Sequence, residues 1–172
     1  MPLLSEIRNG AWSGGTARRA ANGIDVTPLL YDGERGVAIQ LDCEVTCVFN
    51  PSSFDNNGRL SVTFAIDQDT VQRLREVEAA VSAVMGIRDL HSNVKVKDGY
   101  QPGFKVKYDP DRPEFSDQAG PTEAPADWRG LRLKIMVSPR SVYHQRTMQG
   151  ITWELVAVRI LGSVEKKPHE FV

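Results

Sequence analysis

A chain of 172 residues, 41% hydrophobic and 25% charged, has the make-up of one globular domain with enough material to bury an ordinary core. Its Lys and Arg (21) nearly balance its Asp and Glu (22), and the net charge of −1 excludes a protein that coats nucleic acid through overall charge alone. No run is apolar and long enough to span a membrane and no apolar leader follows Met1, so an intracellular protein is expected.

In chain order, residues 1–35 are rich in glycine (Gly10, Gly14, Gly15, Gly23, Gly33) and hold no sustained period. They predict an irregular arm, basic through Arg8, Arg18 and Arg19, with Trp12 packed on the domain. Residues 36–162 then read as the body of the fold. Val37, Ile39, Leu41, Cys43, Val45, Cys47 and Phe49 take the odd positions against Gln40, Asp42, Glu44 and Thr46 at the even ones. A strand of this length is expected to bend or to span two parts of a curled sheet. Cys43 and Cys47 share its apolar face too far apart for a disulfide along extended backbone, and read as reduced core residues. Asn50 to Gly58 is a turn, and Arg59 to Ile66 returns as the second arm of a hairpin with Leu60, Val62, Phe64 and Ile66 inward.

Asp67 or Asp69 can cap a helix whose apolar face is Val71, Leu74, Val77, Val81, Val84 and Met85, with Gly86 as its stop. Its charged face, including Arg73, Arg75, Glu76 and Glu78, reads as solvated. Asn93 to Tyr108 reads as a hairpin, with Val94 and Val96 alternating with Lys95 and Lys97, and Phe104, Val106 and Tyr108 alternating with Lys105 and Lys107. Pairing Lys95 with Lys107 and Lys97 with Lys105 places the ammonium groups on one face, with Tyr100 at the tip. Like charges opposed across strands are destabilising, so such a face points to an anionic ligand.

Residues 109–130 are rich in proline and acidic through Asp109, Asp111, Glu114, Asp117, Glu123 and Asp127; they predict a long connection able to cover a binding groove. Leu131 to Val137 is a strand with Arg132 and Lys134 on its polar side, Arg140 to Gln149 is turn-like and carries Tyr143 and His144, and Ile151 to Leu161 is the final strand. Residues 163–172 form a short polar tail. Strands joined by local hairpins, with a single helix, predict a mainly β fold: a small OB-like antiparallel barrel, with a β-sandwich or jelly roll as the alternative.

Catalytic and cofactor signatures are missing from the sequence. His91, His144 and His169 lack metal-ligand spacing, WSGGT at 12–16 lacks the lysine of a phosphate loop, no GxSxG elbow occurs, and Asp109 with Asp111 offers too few oxygens for a hard cation. A non-enzymatic protein without cofactor or metal is the reading. Binding a single nucleic-acid strand needs a cationic track and exposed rings. Lys95, Lys97, Lys105, Lys107, Arg132 and Lys134 can supply the track, and Tyr100, Tyr143 and Trp128 the rings. Phe64, Phe104 and Trp153 lie on apolar rows and belong to the core, with Tyr108 beside them.

The order NGRLSVTFAID, amphipathic helix, KVKDGYQPG hairpin and GITWELVAVRIL resembles the OB-fold single-stranded DNA-binding proteins of tailed phages and related viruses. Gly150, Ile151, Leu155, Ala157, Val158, Ile160 and Leu161 match that family's barrel-closing strand. The resemblance implies binding and protection of single-stranded DNA, without strong sequence preference, during replication, recombination or repair in the cytoplasm of an infected bacterial host. RNA stays open as the ligand. Many such proteins end in an acidic tail that recruits replication partners; Lys166 and Lys167 depart from this, leaving the acidic 109–130 stretch as the substitute. The alternatives are a structural or assembly β-protein of a virus particle, which would use sheet edges and the long loop, and a small enzyme or ligand-binding barrel marked by a deep pocket.

Overall fold

The computed structural model describes residues 2–20, 23–53 and 59–164. The turn reading for 54–58 and the tail readings for Lys166, Lys167 and His169 lie outside the described residues. The N-terminal arm forms β1 (Trp12–Gly14), β2 (Arg18–Arg19), β3 (Asp25–Tyr31) and β4 (Glu34–Arg35). It is followed by β5 (Ile39–Gln40), β6 (Thr46–Cys47), β7 (Ser52–Ser53), β8 (Leu60–Ala65) and helix α1 (Gln68–Met85). The second half adds β9 (Leu90–His91), β10 (Val94–Lys95), β11 (Gly103–Tyr108), β12 (Glu114–Asp117), β13 (Gly120–Thr122), β14 (Leu131–His144) and β15 (Gln149–Ser163).

The fold is mainly β and OB-like, and backbone bonds show how the sheet curls. β8 pairs antiparallel with β11, β11 runs parallel to β15 through Lys107 and Glu154, and β15 pairs antiparallel with β14 along almost its whole length. The 39–47 stretch completes the circuit. Ile39 and Gln40 pair with Val137 and Met136, Val45 exchanges bonds of 2.8 and 2.9 Å with Leu133, and Thr46 and Cys47 pair with Ala65 and Phe64. Counting the 39–47 stretch as first strand, the neighbours follow the order first, second, third, fifth, fourth, with the first touching the fourth again. The long strand expected over 37–49 is therefore two short ones bent at Asp42 and Cys43, serving both sides of the curl. At the bend Asp42 turns outward, and its carboxylate accepts the Ser5 backbone N–H (2.9 Å) and the Ser5 hydroxyl.

Inward positions of these strands bury Leu41, Phe64, Phe104, Leu133, Ile135 and Trp153, with Phe104 meeting Trp153 edge-on at 5.3 Å. Cys43 and Cys47 are free, and burial pushes the Cys47 thiol up to about 12, which leaves almost no thiolate at neutral pH. α1 starts where the Asp67 carboxylate accepts the Thr70 N–H at 2.8 Å and stops at Gly86, whose left-handed φ of 67° suits glycine. Val71, Leu74, Val77 and Val81 are buried as expected, but Val84 is exposed because Met85 makes the last contact, over Gly14 of β1.

Two stretches read as irregular are ordered. The arm's β3 pairs Pro28 through Asp25 with Ser141 through His144, adding an edge to the sheet, and Trp12 is buried against Tyr31 at 4.9 Å. Residues 109–130, expected as an irregular connection, hold two strands. β12 and β13 form a hairpin, β12 lies parallel to β15, and Phe115 enters the core.

Candidate nucleic-acid interface

On β11 the even residues Phe104, Val106 and Tyr108 are buried, so Lys105 and Lys107 point out of the barrel. Their partners on β8 are Thr63 and Ser61, small side chains that leave the long lysine stems room. A groove of about 520 Å³ runs over this outer face, lined by Arg18, Arg59, His91, Lys105, Lys107 and Tyr143, with Gln145 and Met148 reaching in from the β14–β15 turn. Lys107 stands opposite Glu154 across the parallel pair, but that buried carboxylate takes Arg112 at 3.3 Å on one oxygen and Arg140 at 3.4 Å on the other. Tyr143 faces Gly150 across β14 and β15, and its ring lies over the glycine: a Cβ there would come within 2.5 Å of the hydroxyl oxygen. The ring is half-buried, and desolvation raises its hydroxyl above the ordinary tyrosine range.

The lysine hairpin has a different register from the one expected. Lys95 is opposite Gly103 and Val94 opposite Phe104, so no lysine faces another across the strands. The physical reason is the one that made the expected pairing costly: opposed ammonium groups repel, while glycine, threonine and serine opposite them do not. Beyond Lys95 the chain turns, Tyr100 N–H donating to the Lys97 carbonyl at 3.1 Å, and the Lys97 ammonium sits 5.3 Å from the centre of the Tyr100 ring. That ring is 70% exposed. Lys95, Lys97 and Tyr100 thus form an exposed tip that continues from Asn93, at the groove wall.

Three expected site residues fall elsewhere. Trp128 is only 3% exposed, its backbone N–H donating to the Asn50 side-chain oxygen at 2.7 Å and its ring wedged against Tyr108 (5.2 Å) and Phe115 (5.6 Å), so no face is open to a base. Arg132 forms a two-pronged pair with Glu44 at 3.0 and 2.9 Å, and that bond holds the Glu44 carboxyl below its usual range. Lys134 donates to the Asp42 carbonyl at 3.0 Å and lines a separate cavity of about 1000 Å³ with Glu114, Glu123 and Arg159. Conversely, Arg18, Arg59, His91 and Met148 line the groove without having been singled out for it. Only the basic character of the arm hinted at Arg18.

Glu78, expected on a solvated face, is buried and positions the hairpin. It accepts the Ser92 hydroxyl at 2.8 Å and the Asn93 N–H at 3.2 Å, while the Asn93 side-chain amide donates to the Lys105 carbonyl at 2.8 Å. Desolvation raises its carboxyl above the ordinary glutamate value, with the two hydrogen bonds opposing. A carboxyl raised in the folded state adds stability below its unfolded value and loses it as pH rises through the folded one. Glu78→Gln is therefore expected to gain on the wild type as pH rises from 5 to 8 in urea melts. Glu78→Ala, which strands two donors, should cost about 1–3 kcal/mol. A wild type that gained on Glu78→Gln with rising pH would show that the hydrogen bonds, not burial, govern this group.

Among the described residues no helix is long and apolar enough to cross a membrane, and no group of His, Cys, Asp and Glu could hold a metal ion. No family model and no curated protein matches the sequence. Solved structures do match in fold. The single-stranded DNA-binding protein from bacteriophage Enc34 in complex with ssDNA aligns at TM-score 0.53 and 13% identity, over 91% of this chain and 97% of that one. A C-terminal truncation of the same protein aligns at 0.56 and 14%, over 90% and 98%, and a further structure of it at 0.55 and 13%, over 94% and 95%. The chain has the fold of that phage protein over nearly its whole length, with a sequence largely its own.

Proposed function

We propose that this protein binds single-stranded DNA without strong sequence preference, acting by holding the strand and not by catalysis, and that it protects DNA during phage replication, recombination or repair in a bacterial host. One observation carries the reading: the cationic groove starts on the outer face of the second and third barrel strands at Ser61, Lys105 and Lys107, and runs across the fifth and fourth strands at Thr152 and Tyr143 to Arg18 of the arm. The loop after the first strand contributes Arg59, and the loop after the fourth contributes Gln145 and Met148. OB-like barrels bind oligonucleotides on the face of their second and third strands between these two loops, and the groove takes in that face. Arg18, Lys105 and Lys107 meet phosphates there, and Tyr143, with Tyr100 on the hairpin, offers rings to the bases. The fold likeness to a phage protein solved with ssDNA supports the same assignment.

The test is the anisotropy of a labelled oligo-dT titrated with protein at several salt concentrations, beside duplex DNA and oligo-U of equal length. Intrinsic tryptophan emission is a poor reporter, since Trp12, Trp128 and Trp153 are all buried. The expected result is preference for the single strand over the duplex. The logarithm of affinity should fall against the logarithm of salt by about 0.7 per neutralised phosphate. Failure to bind any oligonucleotide at low salt overturns the assignment, and a preference for oligo-U would reassign the ligand to RNA.

A further inference from the structure

Phe49 closes the odd-numbered apolar row that begins at Val37, and by that alternation it belongs inside. It is instead 74% exposed, beside Val48 at 65%. The backbone explains the departure. Cys47 pairs with Phe64 and Ser52 with Ser61, so residues 48–51 on one side stand against only Val62 and Thr63 on the other. The surplus bulges off the sheet, and Pro51 cannot donate to the ladder that would draw it back.

The place of the bulge gives the exposure a meaning. Thr63, one of the two β8 residues it stands against, pairs across with Lys105, and Ser61, at the edge of the bulge, with Lys107. At a strand spacing of about 4.8 Å, the bulge backbone lies roughly 10 Å from that of the groove lysines. Phe49 also belongs to the loop after the first barrel strand, the loop that contributes Arg59 to the groove. Among the described residues, Phe49 and Tyr100 are the aromatic side chains left mostly in water. Tyr100 lies past the Gly103 end of β11 and Phe49 beyond β8, so one exposed ring stands off the end of the lysine strand and the other off its side.

We infer that Phe49 stacks on a nucleobase, marking where the strand leaves the lysine groove over β8. The inference rests on the single-stranded DNA reading and extends it by a binding residue and a direction across the sheet. A phenyl ring makes no hydrogen bond, so it takes any base by its face and adds affinity without sequence preference or salt dependence.

Two variants and one control test it. Phe49→Trp puts an exposed indole in a chain whose own tryptophans are buried, so quenching of the added emission by unlabelled oligo-dT reads stacking at this position directly. Phe49→Ala is expected to weaken labelled oligo-dT about tenfold, within the range for one lost base stack, with an unchanged salt slope because no phosphate contact is removed. Circular dichroism should not change in either variant, since the side chain packs against nothing in the core. If the wild type binds oligo-dT, Phe49→Ala binds equally well and Phe49→Trp stays unquenched, the stacking role is overturned while the single-stranded DNA reading stands. If the wild type itself fails to bind, both fall together.

Discussion

The double variant Lys105→Glu, Lys107→Glu is expected to lose roughly a hundredfold in affinity for oligo-dT at moderate salt while folding normally. Both side chains leave β11 on its outer face, where their β8 neighbours are Thr63 and Ser61 and the Glu154 carboxylate across from Lys107 is already held by Arg112 and Arg140, so carboxylates can replace ammonium groups without entering the core. The loss comes from the ligand side. Two phosphates lose their counter-charge and meet a like charge instead, and fewer counterions are released on binding. The salt slope should become shallower by about 1.4, the share of two contacts on a single strand. Arg132→Gln supplies the contrast, because that guanidinium is already satisfied by both oxygens of Glu44, and its removal should leave affinity within about twofold. Equal affinity of the double variant and the wild type, in anisotropy titrations at two salt concentrations, would remove the groove as the phosphate track.

Which residues point into the barrel and which neighbouring strands form hairpins were legible in the sequence, and the register and the pairing of distant strands were not. Period-two alternation fixes a face, so Phe64, Phe104 and Val106 were readable as inward and Lys105 and Lys107 as outward. It carries no information on the partner: Lys95 could be set opposite Lys107 on paper, whereas the backbone sets it opposite Gly103. The helix was legible because caps and stripe are local, Asp67 and Gly86 bracketing Val71 to Val81. Glu78 was not, since its burial depends on Ser92 and Asn93 arriving from another element. β3 was hidden by Pro28 in its middle, and β12 by its parallel pairing with β15, whose partner is distant in sequence. Trp128, in a proline-rich stretch, looked exposed until the Asn50 bond and the Tyr108 and Phe115 rings closed around it. Arg18 and Arg59 converge on one groove from separate segments, which no spacing rule anticipates.

One residue before Lys105 on the same strand, Phe104→Ala should leave the groove chemistry intact and cost the fold about 3–5 kcal/mol. The ring is 0% exposed and meets Trp153 edge-on, linking the third barrel strand to the fifth across the interior. Those strands share few backbone partners, Lys107 with Glu154 being the registered pair, so ring contact carries much of their association. Truncation removes the transfer energy of the benzyl group and leaves a cavity that a curled sheet, held on every side by ladder bonds, cannot collapse to fill. Domains of this kind hold about 5–15 kcal/mol in total, so the variant should be close to unfolding at 37 °C. A melt followed by circular dichroism should show a midpoint lower by 10 °C or more. Phe104→Leu, which retains most of the volume, should fold and fall between, and its folded fraction should bind oligo-dT with wild-type affinity. A drop of less than about 1 kcal/mol for the alanine variant would mean that β11 does not face inward at 104. The lysines one position along would then lose their outward placement, because alternation ties the two faces of a strand together.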